Sequence, residues 1–420
     1  MNAFPEPGGG SLDGIRVVEL GTSVAAPMAT QILGDFGAEV IKVERVGRGD
    51  DSRQWAPPDW DGQSVTFLAL NRNKRSLALD LKDPRGLAVL EELIRRSDVL
   101  VQNLRPGAVA ALGLTPERIA ELNPRLVYCE LSGFGPTGPR AGQPAYDPLL
   151  QAYSGIVSIT GEDEGEPARV PVSILDMGTG MWTALAVFEA LRRRDRTGAG
   201  THVELSLLQT ALMWVSMPLL AVAAGNGLPA RLGSGLAGVV PYGAFPTADG
   251  HVFVSAGNDD AWARLCSALD AEHLRSADGF ATNRERVQHR ADVTSALSAV
   301  TRDFTTAEVL KRLTENKVPC SPVHTLDQVL ADEQVRAVGA LTSVEHPEVP
   351  DFQVVNLPMT FAGAYPTAPT APPVLGADSG AVLREIGLTP AQVAELADAG
   401  VVGLADTADP DPATPTGDAT

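Results

Sequence analysis

Basic residues are scarce in this sequence. Lysine and arginine together number 33 against 52 aspartates and glutamates, a formal net charge of -19 over 420 residues. Such a surface repels the phosphate backbone, which excludes nucleic acid and anionic membrane as the main partner. It leaves room for a small anionic ligand held by a local basic patch. Cysteine is scarcer still, at three scattered positions, Cys129, Cys266 and Cys320. An odd, dispersed set implies neither a disulfide framework nor metal-ligand spacing. The histidines begin only at His202, and no two lie within four residues of each other, so a histidine metal site or triad has no support. Long apolar runs are also lacking. The longest, at 211–224, is too short and too interrupted to cross a bilayer. The polar start MNAFPEPGGGSLDG has no apolar signal core. These absences set the expectation of a soluble, cytoplasmic protein without a metal or a permanently bound cofactor.

Three motifs are missing as well. The first strand–helix turn reads GTSVAAP rather than G-x-G-x-x-G, so the pyrophosphate fingerprint of a dinucleotide fold is absent. There is no G-x-x-x-x-G-K-[ST] and no G-x-S-x-G elbow. The N-terminal half must therefore work with carboxylates, hydroxyls and lysines.

What is present is a rhythm. Hydrophobic residues make up 44% and charged residues 20%, enough for a sizeable core spread over two or three domains. IRVVEL at 15–20 predicts a strand, and 27–36 a helix with Pro27 at its first position. Gly37 ends that helix, and AEVIKVER at 38–45 predicts a second strand. SLALDL at 76–81, DVLVQN at 98–103, RLVYCEL at 125–131 and HVELSL at 202–207 continue the strand series. Helices are predicted at 84–96 and after the Thr115-Pro116 cap. Strands alternating with helices predict an α/β domain with a covered, Rossmann-like parallel sheet. After residue 224 the texture becomes glycine-rich. Ala248-Asp249-Gly250 predicts a turn between two short strands, and a helix follows from Asp259. The expected organisation is a large domain from 12–205 plus 331–402, a linker at 206–224, a smaller α+β domain at 225–330 and a disordered tail at 403–420. The matching pieces LGLTPERIAEL and IGLTPAQVAEL share a Thr-Pro helix cap and are not a repeat.

One carboxylate stands out by its surroundings. Asp176 lies between the apolar V172-S-I-L175 and the small residues Gly178-Thr179-Gly180. It reads either as the cap of a helix beginning near Gly178 or as a nucleophile. An acid just ahead of a helix would be kept ionised by the helix N-terminus although partly desolvated, and the small residues would leave room for an approaching acyl group.

Seven ordered blocks carry a resemblance. LDGIRVVEL, GAEVIKVER-x-GRGD, NRNKRSLALDLK-x-P-x-G, VLVQNLRPG, LNPRLVYCELSGFGPTGP, AYDPLLQAYSG and ILDMGTG resemble the family III coenzyme A transferases. So do PYGAFPTADGHVFVS and VPCSPVHTLDQVL further on. The resemblance implies an interlaced homodimer and a CoA-transferase that uses acyl-CoA and a small carboxylic acid as substrates. It implies that Asp176 is the nucleophile, passing through an acyl–aspartyl anhydride and an aspartyl–CoA thioester. It places Arg45, Leu79, Lys82, Asn103, Arg105, Ala108 and Tyr146 around the CoA and acyl groups, with Val24 and Trp55 near the acyl pocket. Arg72, Lys74 and Arg75 add basic residues nearby. Ala111 stands where relatives often carry an arginine, with Arg105 as the candidate replacement. The 233–238 glycine segment resembles a mobile loop over the active site. Two other readings stay open: a 2-methylacyl-CoA racemase of the same fold, and a CoA-binding protein without turnover. Tyr146 stands where the racemases carry a histidine base, which counts against the first.

Overall fold

A computed structural model of the chain describes residues 9–405. The strands predicted in the first 210 residues all form, as β1 (Arg16–Leu20), β2 (Glu39–Glu44), β3 (Lys74–Leu79), β4 (Val99–Gln102), β5 (Val127–Ser132) and β6 (Thr201–Ser206). They pair in parallel in the spatial order β3-β2-β1-β4-β5-β6. A terminal strand, Val402–Gly403, adds antiparallel to β3, so the expected tail starts later than 403. The rest of that tail, from residue 406, lies outside the described residues.

Successive residues of each strand face opposite layers, as strand geometry requires. Val18, Ile41, Leu77 and Leu100 pack beneath Leu90, Leu93 and Ile94 of α2 (Pro84–Arg95). Val17, Val40, Val99 and Val127 face α1 (Ala25–Asp35) and the long helix α4 (Ile174–Thr197). Burial on both faces is why these strands read as continuous apolar runs rather than alternating ones. The chain runs outward from β1 to β3, then crosses back to β4 and continues the other way. The crossover makes β1/β4 the switch point of the sheet, where ligand crevices form beyond the carboxyl ends of strands.

Local signals set most boundaries. Gly37, at φ +97°, terminates α1 in a conformation that glycine adopts freely. Asp83 caps α2 by accepting the Arg85 N–H, with Pro84 in the first turn. Helix α1 begins at Ala25, so Pro27 is its third residue rather than its first. The first-turn N–H groups of a helix have no internal partner, so proline is tolerated there too. Helix α4 is long and apolar enough to cross a membrane by length and composition alone, a feature the 211–224 run had obscured. Half of that apolar window is buried inside the protein, as in a core helix.

Two compact units emerge. The first holds the sheet and comprises residues up to Leu150, Val172–Trp214 and the chain from Gly339. The second comprises Gln151–Pro171 and Val215–Val338. It contains an antiparallel three-stranded sheet, with Tyr242–Pro246 and His251–Ser255 joined by the expected turn and Cys320–Pro322 at the other edge. Trp262, Leu265, Leu297 and Leu313 form its core. The stretch expected to be a linker is helical: α5 (Leu207–Trp214) belongs to the first unit and Ser216–Ala223 to the second.

Candidate active site

Helix α4 begins at Ile174, four residues earlier than the glycines suggested, with Ser173 at its N-cap position. Asp176 is therefore not a cap but the third residue of the first turn. Ser173 makes no side-chain capping bond. Asp147 takes that role from the start of α3 (Asp147–Tyr153). Its Oδ2 accepts the Leu175 N–H at 2.6 Å and the Asp176 N–H at 3.2 Å. These are the N2 and N3 amides that an N-cap side chain ordinarily satisfies.

The capping arrangement changes the electrostatics. Asp176 was expected to be held ionised by the helix N-terminus. Its carboxyl is instead pushed up to about 7, first by burial and then by the negative charge of Asp147. The free amides that would lower it are engaged by Asp147. Among the described residues no cation pairs with Asp176.

The small residues after Asp176 serve close packing. A β-carbon on Gly178 would stand 2.9 Å from the Trp214 ring and 3.1 Å from Thr210 on α5. One on Gly180 would stand 2.8 Å from the Ala25 carbonyl oxygen and from Met28 on α1. Thr179 and Thr210 share a hydrogen bond of 2.8 Å between their hydroxyls. Because α1 leaves the carboxyl end of β1, the Gly180 contact holds Asp176, one turn earlier, beside the switch point.

Two loops meet at that point. The Thr22 N–H donates to the Asn103 side-chain oxygen, and the Asn103 amide donates to the Thr22 carbonyl, each at 2.9 Å. Below them lies a buried ionic network that the sequence reading missed. Lys42 reaches Glu19 at 2.6 Å and Asp50 at 2.7 Å, and Lys74 reaches Glu19 at 2.9 Å. Lys42 also donates to the Gly21 carbonyl, while Asp50 accepts the Ser23 N–H. The network thus anchors the 21–24 turn, in which Ser23 adopts φ +70°. The signal was a charged residue in the middle of a strand buried on both faces.

A sequence profile of CoA-transferase family III matches residues 12–379. The chain belongs to this family. A succinyl-CoA:glutarate CoA-transferase of Mus musculus is 36% identical over 375 residues, 89% of this chain and 86% of that protein. A succinate–glutarate CoA-transferase of Agrobacterium fabrum is 35% identical, across 89% of this chain and 95% of its own. A CAIB/BAIF family protein of Brucella suis superposes with a TM-score of 0.83 at 33% identity, covering 90% of this chain and all of that one. The protein is a CoA-transferase, acting between acyl-CoA and carboxylic acids.

The transferase gathers its expected site residues at the carboxyl edge of the sheet, in two groups. Arg45 follows β2, and Leu79 and Lys82 end or follow β3. Arg45 is exposed and paired with Asp51, and Lys82 is exposed. The Leu79 side chain is buried in the core. Asn103, Arg105 and Ala108 follow β4. Arg105 lines a cavity of about 100 Å³ with Gln102, Gly107, Ala110, Tyr128 and Glu130. Ala108–Ala111 is a short helix, with Ala111 exposed. Tyr146 precedes the capping Asp147 and is 60% exposed. Val24 is buried at the N-cap position of α1, while Trp55 is exposed. In the second unit, Arg290 donates to the Leu236 and Ala237 carbonyls, and Asn283 to that of Gly238, anchoring the glycine segment.

The basic cluster needs correction. Arg72 forks onto Asp35, Lys74 is enclosed by Glu19, Asn71 and the Pro27 carbonyl, and Arg75 pairs with Glu39 and Glu385. All three are committed to structural ion pairs, because a buried or half-buried cation must be matched locally. Their acids lie far off in sequence, so the cluster looked available when read along the chain.

Proposed function

We propose that Asp176 carries CoA transfer as a covalent nucleophile. One Asp176 oxygen forms a C–O bond to the acyl carbon, and the C–S bond breaks with its electron pair going to sulfur. The products are an acyl–aspartyl anhydride and CoA thiolate. The thiolate then attacks the Asp176 carbonyl, and the donor acid leaves as a carboxylate. An acceptor carboxylate reverses the sequence, and no net proton is consumed. The observation that carries this reading is a lone acid in the first turn of α4, half-buried beside the switch point. Such a group is a better nucleophile than a solvated aspartate once ionised, since it has less water to shed.

The substrates are proposed to be a dicarboxylyl-CoA donor, with succinyl-CoA first, and a small dicarboxylic acceptor. The names of the mouse and Agrobacterium relatives support that class. CoA is proposed to lie along the carboxyl edge of the sheet, reached by Arg45, Lys82 and Arg105. The transferase is further proposed to be a cytoplasmic homodimer. Met177, Met181 and Leu185 stand exposed at successive turns of α4, with Met213 and Trp214 exposed on α5, an apolar face that a second copy would cover.

The test is covalent loading. Incubation with succinyl-CoA alone, followed by hydroxylamine, is expected to leave a hydroxamate on the Asp176 peptide by mass spectrometry. Folded Asp176→Ala is expected to lose transfer while still binding CoA. Retention of more than a few percent of transfer by that variant would overturn the nucleophile.

A further inference from the structure

We infer that the Ser23 hydroxyl is a catalytic donor of the transfer reaction, hydrogen-bonded to the acyl carbonyl oxygen while Asp176 attacks. The inference rests on Asp176 being the nucleophile. Ser23 stands in the turn between β1 and α1 at φ +70°, a conformation that L side chains rarely adopt. Its surroundings impose that conformation. Lys42 donates to the Gly21 carbonyl at 3.0 Å, and Asn103 clasps the N–H and the carbonyl of Thr22 at 2.9 Å each. Asp50 accepts the Ser23 N–H at 2.9 Å. Three side chains from different parts of the chain thus grip three consecutive residues, and two of them, Lys42 and Asp50, are buried. Strain over-determined by its neighbours is a mark of functional sites. The Ser23 hydroxyl itself has no hydrogen-bond partner among the described residues. A glycine would take the same backbone without strain, so what the serine brings to the turn is a half-buried, unengaged donor.

That donor lies level with Asp176. Strands β1 and β6 run parallel within one sheet. Helix α1 leaves the carboxyl end of β1, and α4 leads into the amino end of β6, so both helices start at the same edge and run the same way. They meet where Gly180 faces the Ala25 carbonyl oxygen and Met28. Asp176 lies one turn earlier on α4, about 6 Å back toward that edge. The same distance back from Ala25 and Met28 leads to the turn that holds Ser23. When an Asp176 oxygen adds to the acyl carbon, the carbonyl π pair moves onto the acyl oxygen. A fixed hydroxyl donor there binds more strongly as that charge develops, and it gives up no proton. The pair returns as the C–S bond breaks and its electrons leave on sulfur.

The experiment compares the full-length wild type with Ser23→Ala and Ser23→Gly, given succinyl-CoA and no acceptor. Rapid quenching and mass spectrometry follow the rate at which the Asp176 peptide becomes loaded. Both variants are expected to load about 100-fold more slowly, the effect of losing one oxyanion donor. Their CoA affinity by calorimetry is expected to match wild type. The melting temperature of Ser23→Gly is expected to rise, because glycine relieves the strained φ that Ser23→Ala retains. A role in folding alone predicts a Gly variant that loads as fast as wild type, and that result would overturn the inference. So would a loss of CoA affinity as large as the loss of rate. Thr22 carries the other hydroxyl of the turn, and a Thr22→Val enzyme slower than Ser23→Ala would also overturn it. Failure of the nucleophile reading looks different: the wild type never loads and Asp176→Ala keeps transferring CoA, which removes both readings together.

Discussion

Asn103 and Thr22 hold each other twice, amide to carbonyl in both directions at 2.9 Å, across the point where the sheet reverses its winding. The clasp joins the turn after β1 to the turn after β4. Both turns border the proposed CoA crevice, so loosening the clasp should blur the site more than the fold.

Asn103→Ala removes both bonds and leaves a half-buried N–H and carbonyl on Thr22 unmatched. The expected cost is about 1–2 kcal/mol in urea denaturation. Calorimetric titration is expected to show CoA binding several-fold weaker than in the wild type. Wild-type CoA affinity in this variant would show that the clasp serves stability alone.

Under the proposed mechanism, the Asp176 carboxyl, pushed up to about 7, is expected to set the acid limb of the reaction. Only the ionised form attacks, so kcat/KM is expected to fall roughly tenfold per pH unit below that value and to level off above it. The linkage to stability runs the opposite way. The folded-state value lies above the model-peptide 3.8, so the charge weighs on the folded state above pH 7 and not below pH 4. Asp176→Asn is expected to be more stable than wild type at pH 8, by about 1–3 kcal/mol, with the gain vanishing by pH 4. Paired denaturation curves at the two pH values check the sign.

Gly180→Ala tests the packing that places Asp176, the proposed nucleophile. The added methyl meets the Ala25 carbonyl oxygen and the Met28 side chain, and the backbone oxygen cannot rotate away. The expected outcome is about 1–3 kcal/mol of lost stability. Transfer is expected to drop by an order of magnitude or more, because α4 must shift. Stopped-flow loading with succinyl-CoA separates the chemical step from CoA binding. Normal loading in a destabilised variant would place the glycine's role in folding only.

Lys42→Met probes the buried network. It leaves Asp50 without its cation and Glu19 with Lys74 alone, so about 3–5 kcal/mol of destabilisation is expected. Arg45→Ala, at an exposed pair with Asp51, is expected to cost under about 1 kcal/mol. Chemical denaturation of the two variants gives the comparison, and equal losses would contradict the burial argument.

By itself, the sequence determined the elements whose causes are local. The apolar runs of β1 to β6, the stop at Gly37, the turn at Ala248-Asp249-Gly250 and the cap at Thr389 all depend on residues within one helical turn or one hairpin. It also marked Asp176, because an acid between an apolar stretch and glycines is a local anomaly. Tertiary structure alone decided how that acid is treated. The partner that caps α4 lies 28 positions from Leu175, and it moved the helix start to Ile174 and engaged the amides assigned to Asp176. The same holds for Arg72, Lys74 and Arg75, whose acids Asp35, Glu19 and Glu39 arrive on other elements. Charge is a property of the residue, but whether it is free to meet a ligand depends on what the fold brings within about 4 Å, and local sequence carries no record of that distance.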